Sequence, residues 1–83
     1  MQYLLTCRSL TYAQRGARAL ERAGITGTVS RAPRNVSLGG CGYCIIVSAK
    51  NRERAIAVLA QAGLRPEKIF RREDDGSVQE VGQ

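Results

Sequence analysis

Two short stretches, L20-E-R-A-G-I25 and L59-A-Q-A-G-L64, decide the fold of this 83-residue chain. Each places a glycine directly after a run of helical apolar periodicity, where a helix stops in the left-handed conformation that glycine adopts most readily. The likeness runs on at a constant offset of 39 residues: Ser9, Arg15, Leu20, Ala23 and Gly24 recur as Ser48, Arg54, Leu59, Ala62 and Gly63, and Ile25 recurs as Leu64. Two tandem copies of one strand–helix–strand unit are the simplest source of such an echo.

The remaining elements fall into place around these stops. Y3-L-L-T-C7 is a short apolar run suited to a buried strand. Ser9 or Thr11 then offers a helix N-cap. Leu10, Ala13, Ala17, Leu20 and Ala23 follow at three- and four-residue steps with Arg15, Arg18 and Arg22 opposite, the pattern of an amphipathic helix. T26-G-T-V-S-R31 reads as a polar edge strand, and residues 32–42, with Pro33 and the Gly39-Gly40 pair, as a loop. Y43-C-I-I-V-S48 is the strongest strand pattern. A second helix is expected over 51–62 with Ile56, Leu59 and Ala60 inward, and K68-I-F-R-R72 as a fourth strand. The expected architecture is α+β: a ferredoxin-like βαββαβ sandwich, an antiparallel four-stranded sheet with two helices on one face. Residues 1–72 form the single domain. Residues 73–83 form a polar C-terminal tail, flexible or a weak hairpin extension.

Composition narrows the class. No stretch approaches the ~18 consecutive apolar residues of a membrane span, and the opening MQYLLTCRS lacks the basic region, long apolar run and cleavage site of a signal peptide. A cytoplasmic protein is expected. So short a chain has a modest stability margin, which a homodimer would improve. The net charge of +6 is uneven: residues 1–54 carry nine basic and two acidic side chains, residues 55–83 four and five. Such an excess suits an acidic protein, an anionic ligand or nucleic acid. Trp is absent, and the central strands offer only Tyr3 and Tyr43 for base stacking, so nucleic acid is disfavoured.

The chemistry lies in S37-L-G-G-C-G-Y-C44, which with Cys7 holds all three cysteines. An odd cysteine count in a reducing compartment points to thiol chemistry or metal rather than a disulfide scaffold. In the expected topology the first and third strands are adjacent and antiparallel, so Cys7 ends beside Cys44. The 32–42 loop opens at the same end, and the three cysteines are expected to converge with Arg8, Arg31 and Arg34 in reach. A thioredoxin-type Cys-x-x-Cys opens a helix, whereas Cys44 runs into the strand I45-I-V-S48. Zinc would find three thiols and no histidine where a structural site needs four ligands. No metal and no cofactor are expected. Cys7 and Cys44 also read as small core residues of strands. Cys41 sits among glycines in the loop, where Arg31, Arg34 and the start of the first helix would favour its thiolate. Gly40 and Gly42 leave room there for a partner's thiol, and their N–H groups could cradle an anion.

At these residues the chain resembles the Putative Se/S (selenium/sulfur) carrier protein-like family of small bacterial proteins. The resemblance spans roughly residues 3–71: the first strand followed by Ser9, the helix ending E21-R-A-G-I25, the P33-R34 pair, Ser37, C41-G42 leading into a strand, and the second helix ending A62-G-L64. It implies a compact α/β domain that carries selenium or sulfur on the cysteine of the Cys-Gly pair, here Cys41. The resulting expectation is a carrier rather than a true enzyme. Cys41 would hold a (seleno)persulfide, Cys44 would resolve or share it, and Gly40, Gly42, Arg34, Ser37 and Cys7 would form the thiol's surroundings. A cysteine desulfurase or a selenophosphate-forming enzyme would be the donor or acceptor. The alternative is a ferredoxin-like binding or regulatory module for an anionic ligand, protein or RNA, whose thiols are incidental or act as a redox switch.

Overall fold

A computed structural model describes residues 1–32 and 42–81. Its elements in chain order are β1 (Gln2–Cys7), α1 (Leu10–Arg22), β2 (Thr28–Arg31), β3 (Tyr43–Ser48), α2 (Arg52–Gln61), β4 (Ile69–Arg72) and β5 (Val78–Val81); a 3-10 turn, Ala49–Asn51, leads into α2. The strands form one sheet in the order β2-β3-β1-β4-β5, with every neighbouring pair antiparallel. The first four strands and two helices have the expected ferredoxin-like order, and the sheet has five strands rather than four.

Both helices stop as their glycines dictate. In α1, Gly24 N–H donates to Glu21 C=O at 3.0 Å and Ile25 N–H to Leu20 C=O at 2.9 Å. In α2, Gly63 N–H donates to Ala60 C=O at 3.2 Å and Leu64 N–H to Leu59 C=O at 2.8 Å. These are paired Schellman closures, with φ of +79° at Gly24 and +73° at Gly63. The offset of 39 is therefore the repetition of one helix-ending device. The second copy also braces the first, since the Arg54 guanidinium donates to Ala23 C=O at 3.0 Å. At the other end of α1, Ser9 is the N-cap, its hydroxyl accepting from Tyr12 N–H at 3.2 Å.

The helices cover one face of the sheet. Leu5, Cys7, Ile45, Val47 and Ile69 meet Ala13, Leu20, Ala55 and Leu59 there. Of the expected inward stripe of α1, Ala13 and Leu20 are buried, and Gly16 joins them. Leu10, the first helical residue, is 39% exposed, while Gly16 lies where a Cβ would come within 2.7 Å of Ile45 Cδ1 and 3.1 Å of Leu59 Cδ2. The missing side chain lets α1 approach both β3 and α2. A smaller cluster of Leu4, Cys44 and Phe70 lies on the opposite face, with Ile46, Ala32 and Val78 packed on it.

The fifth strand comes from a tight turn in E73-D-D-G-S77. Gly76, at φ +89°, donates to Glu73 C=O at 3.0 Å, and Glu73 N–H donates to Ser77 C=O at 2.9 Å. The Asp75 carboxylate accepts from Ser77 N–H at 2.9 Å and its hydroxyl at 2.7 Å, bonds that hold it below the usual carboxylate range. This is a type I turn with a glycine bulge, a common three-residue hairpin. Val81 then packs with the main core and Val78 with the smaller cluster, so the strand places one apolar side chain on each face.

Candidate functional site

β2 and β3 are joined through residues 33–41, between the described Ala32 and Gly42. Ala32 N–H donates to Gly42 C=O, and Arg31 pairs with Tyr43 in the next rung, so the two ends of the connection are clamped side by side. Gly42 has a φ of +81°. A side chain there would be strained, which gives the glycine of the Cys41-Gly42 pair a backbone reason. Cys41, Gly40, Arg34 and Ser37, singled out from the sequence, lie outside the described residues.

The same end of the sheet holds the close of β1 and the start of α1. Arg8 lies over the Tyr12 ring at 4.7 Å, and Arg31 over the Tyr43 ring at 5.7 Å, distances at which the cation is attracted to the ring face. Thr6 ties in β4: its hydroxyl accepts from Lys68 N–H at 2.8 Å and lies 3.1 Å from Lys68 C=O. Nothing in the hydrophobic pattern signals this Thr6 contact. Arg8, Arg31 and Lys68 are all exposed here, with Glu67 the acidic side chain beside them.

The register decides how the thiols relate. Cys7 lies opposite Tyr43, and Cys44 opposite Thr6. Directly opposed residues share a face and successive residues alternate, so Cys7 points into the helix-side core and Cys44 into the cluster on the other face. The expected convergence of side chains is thereby corrected for this pair: the backbones meet at one end of the sheet, and the pleat sends the sulfurs to opposite sides. Both thiols are free. Cys44 is 0% exposed and Cys7 8%. Burial pushes the Cys7 thiol up to about 11, helped by the negative charge Cys44 would carry and by Glu67. Burial likewise raises Cys44, with Arg72 acting in opposition. Cys7 Sγ also lies 3.6 Å from Leu5 C=O, a weak thiol bond. Both groups are thus protonated at neutral pH and poor nucleophiles where they sit.

Tyr3 and Tyr43, the sequence's candidates for stacking on bases, belong to the helix-side face and pack against its core. Arg52 lies over Tyr3 at 5.3 Å. The face opposite the helices, which an RNA-binding sheet would use, carries Phe70 as its one described aromatic, and Phe70 is buried. Among the described residues no three His, Cys, Asp or Glu side chains gather as a metal site. No helix among them is long and apolar enough to cross a membrane.

Among the described residues, this end of the molecule brings together the exposed Arg8, Arg31 and Lys68, the capped start of α1 and two buried thiols. No curated protein and no solved structure matches the chain. One family model does, over residues 2–71, from the first residue of β1 to the third of β4. The chain belongs to the family described as Putative Se/S carrier protein-like.

Proposed function

We propose that the protein carries sulfur or selenium on Cys41, as a persulfide or selenopersulfide, and works in the cytoplasm as a carrier rather than as a catalyst. The observation that carries this reading is the burial of the other two thiols. With Cys7 and Cys44 covered and held protonated, the family's cargo falls to the cysteine before Gly42. Loading is a transfer without net redox change. The Cys41 thiolate attacks the outer sulfur of a donor persulfide, the donor's S–S bond breaks, and the donor thiol leaves with the bonding electrons. Delivery to an acceptor thiol is the same step reversed. Arg31 and Arg8, with Arg34 on the connection itself, favour the anionic forms on both sides of the exchange. A cysteine desulfurase or a selenophosphate-forming enzyme is the expected class of partner.

Cys44 has a second, slower role on this reading. Its thiol attacks the inner sulfur of the Cys41 persulfide, a Cys41–Cys44 disulfide forms, and hydrosulfide leaves; a small thiol reductant then restores both cysteines. Because Cys44 is buried, this release waits on an opening of the strand, whereas handover to a partner does not.

Incubation with a cysteine desulfurase and cysteine, followed by intact-mass measurement, tests the reading. The wild type and Cys44→Ser gain the mass of a sulfur atom, and Cys41→Ser gains none. Loading of Cys41→Ser to the wild-type level would refute it.

A further inference from the structure

β2 is an edge of the sheet, and its hydrogen-bonding pattern follows from one contact. Ala32 N–H donates to Gly42 C=O, so 32/42 is a hydrogen-bonded rung of the antiparallel pair. Alternation makes 30/44 and 28/46 bonded rungs as well. The N–H and C=O groups of Val29 and Arg31 therefore point outward, away from β3. Among the described residues no strand pairs with them, and the Arg31 carbonyl meets only the Ser30 hydroxyl, at 3.4 Å.

A groove of about 660 Å³ runs beside this edge, between β2 and α1. Its floor includes Ala17, Ile25, Gly27 and Val29, and Arg18 and Glu21 stand on its helix side. Val29 and Arg31 are on the helix-side face of the sheet, so a strand added to β2 would send every second side chain into the groove. Charge selects the occupant. Arg15, Arg18 and Arg22 are exposed along α1, Glu21 is the helix's single acid, and no ion pair engages these arginines among the described residues.

We propose that the β2 edge and its groove dock an extended acidic segment of a partner protein by strand addition, with main-chain bonds to Val29 and Arg31 and carboxylates facing the arginines of α1. β2 runs toward Ala32, after which the chain enters the connection that bears Cys41, so the docked segment lies along the strand that leads into it. Its owner is the protein that exchanges sulfur or selenium with Cys41; that assignment alone rests on the carrier reading.

The test uses the full chain, as wild type and as Cys41→Ser, which separates docking from carriage. The probes are two blocked hexapeptides, one alternating Val and Glu and the other Val and Lys. Amide NMR and hydrogen exchange are read at each residue. The Glu peptide shifts β2 and α1 amides saturably in both proteins and slows exchange at Val29 and Arg31 by about tenfold or more near saturation. Added salt and Arg18→Glu both weaken it, and the Lys peptide leaves these amides unmoved. Equal effects of both peptides, or none from either, would overturn the proposal. So would Val29 and Arg31 amides already protected in a free protein that sediments as a dimer, which would make the edge a self-association surface. Binding of a single-stranded oligonucleotide at these amides without any effect of the Glu peptide would assign the surface to nucleic acid and overturn it too.

Discussion

The buried thiol of Cys7 makes the protein lose stability in alkali by a calculable amount. Desolvation, then the charge Cys44 would carry, then Glu67 raise its pKa from 9.0 to about 11. The unfolded chain therefore gives up this proton at lower pH than the folded one. Above the unfolded value the unfolded state binds fewer protons, so the contribution is fully present below about pH 8 and is lost as pH rises toward the folded value. Integrated up to about pH 10.5, the difference in proton binding amounts to about 1.4 pH units, and at about 1.4 kcal/mol per unit the loss is about 2 kcal/mol. Other groups titrate in the same range, so the quantity to follow is the stability difference between wild type and Cys7→Ala. Urea unfolding under reductant at about pH 7 and pH 10.5 measures it. The wild type loses about 2 kcal/mol relative to the variant over that interval. A difference constant to within about 0.5 kcal/mol would mean that Cys7 is not held protonated by its surroundings.

Four further outcomes bear on the frame and on its buried thiols. Ser9→Ala removes the hydroxyl that accepts from Tyr12 N–H and lowers stability by about 1 kcal/mol in urea unfolding. Gly27→Ala places a Cβ 2.8 Å from Ile45 Cγ2 and 2.9 Å from Leu20 Cδ1, an overpacking that costs about 1–3 kcal/mol. Gly24→Ala meets no atom within 4 Å but sits at φ +79°, so it costs about 1–2 kcal/mol through the backbone alone; asparagine is milder than alanine at position 24 and harsher at position 27. In the native protein Cys7 and Cys44 resist iodoacetamide, and both react in urea, as peptide mapping of the alkylated chain records.

Much of the frame was legible in the sequence because its signals are local. The glycine after each helix sets the backbone, Ser9 offers a cap to the helix behind it, and β-branched runs mark the strands. The order of β1 to β4 follows once the two halves are seen to repeat. The missed features depend on what lies across from a residue. Gly16 belongs to the inward stripe because it lacks a side chain, and hydrophobic periodicity does not register a missing atom. β5 is short, and its Val78 and Val81 are three apart, so they give neither alternation nor a helical stripe. Tyr3 and Tyr43 took their face from the register of strands distant in sequence. The turn E73-D-D-G-S77 was readable by its Asp-Gly pair, but whether a strand would add to β4 depended on apolar surface left over on both faces of the sheet.

On the carrier reading, the same register bears on which of the two described thiols would resolve a persulfide on Cys41. To uncover Cys7, the first turn of α1 must lift from the core, breaking the Ser9 cap and the packing of Tyr12 and Ala13. To uncover Cys44, the start of β3 must fray, releasing the Ala32–Gly42 bond and the pairing with Ser30. Fraying at a strand end next to a glycine at φ +81° is a local event, and Cys44 is three residues along the chain from Cys41. Lifting α1 disturbs the close approach that Gly16, lacking a Cβ, allows toward Ile45 and Leu59, at the centre of the fold. The cheaper opening serves Cys44, so on the carrier reading a resolving disulfide joins Cys41 to Cys44, and Cys7 stays a core residue. A partner strand docked on β2 would reinforce the edge against which Cys44 is paired. The proposed partner would then promote handover while suppressing the internal release, since both depend on whether the start of β3 stays closed.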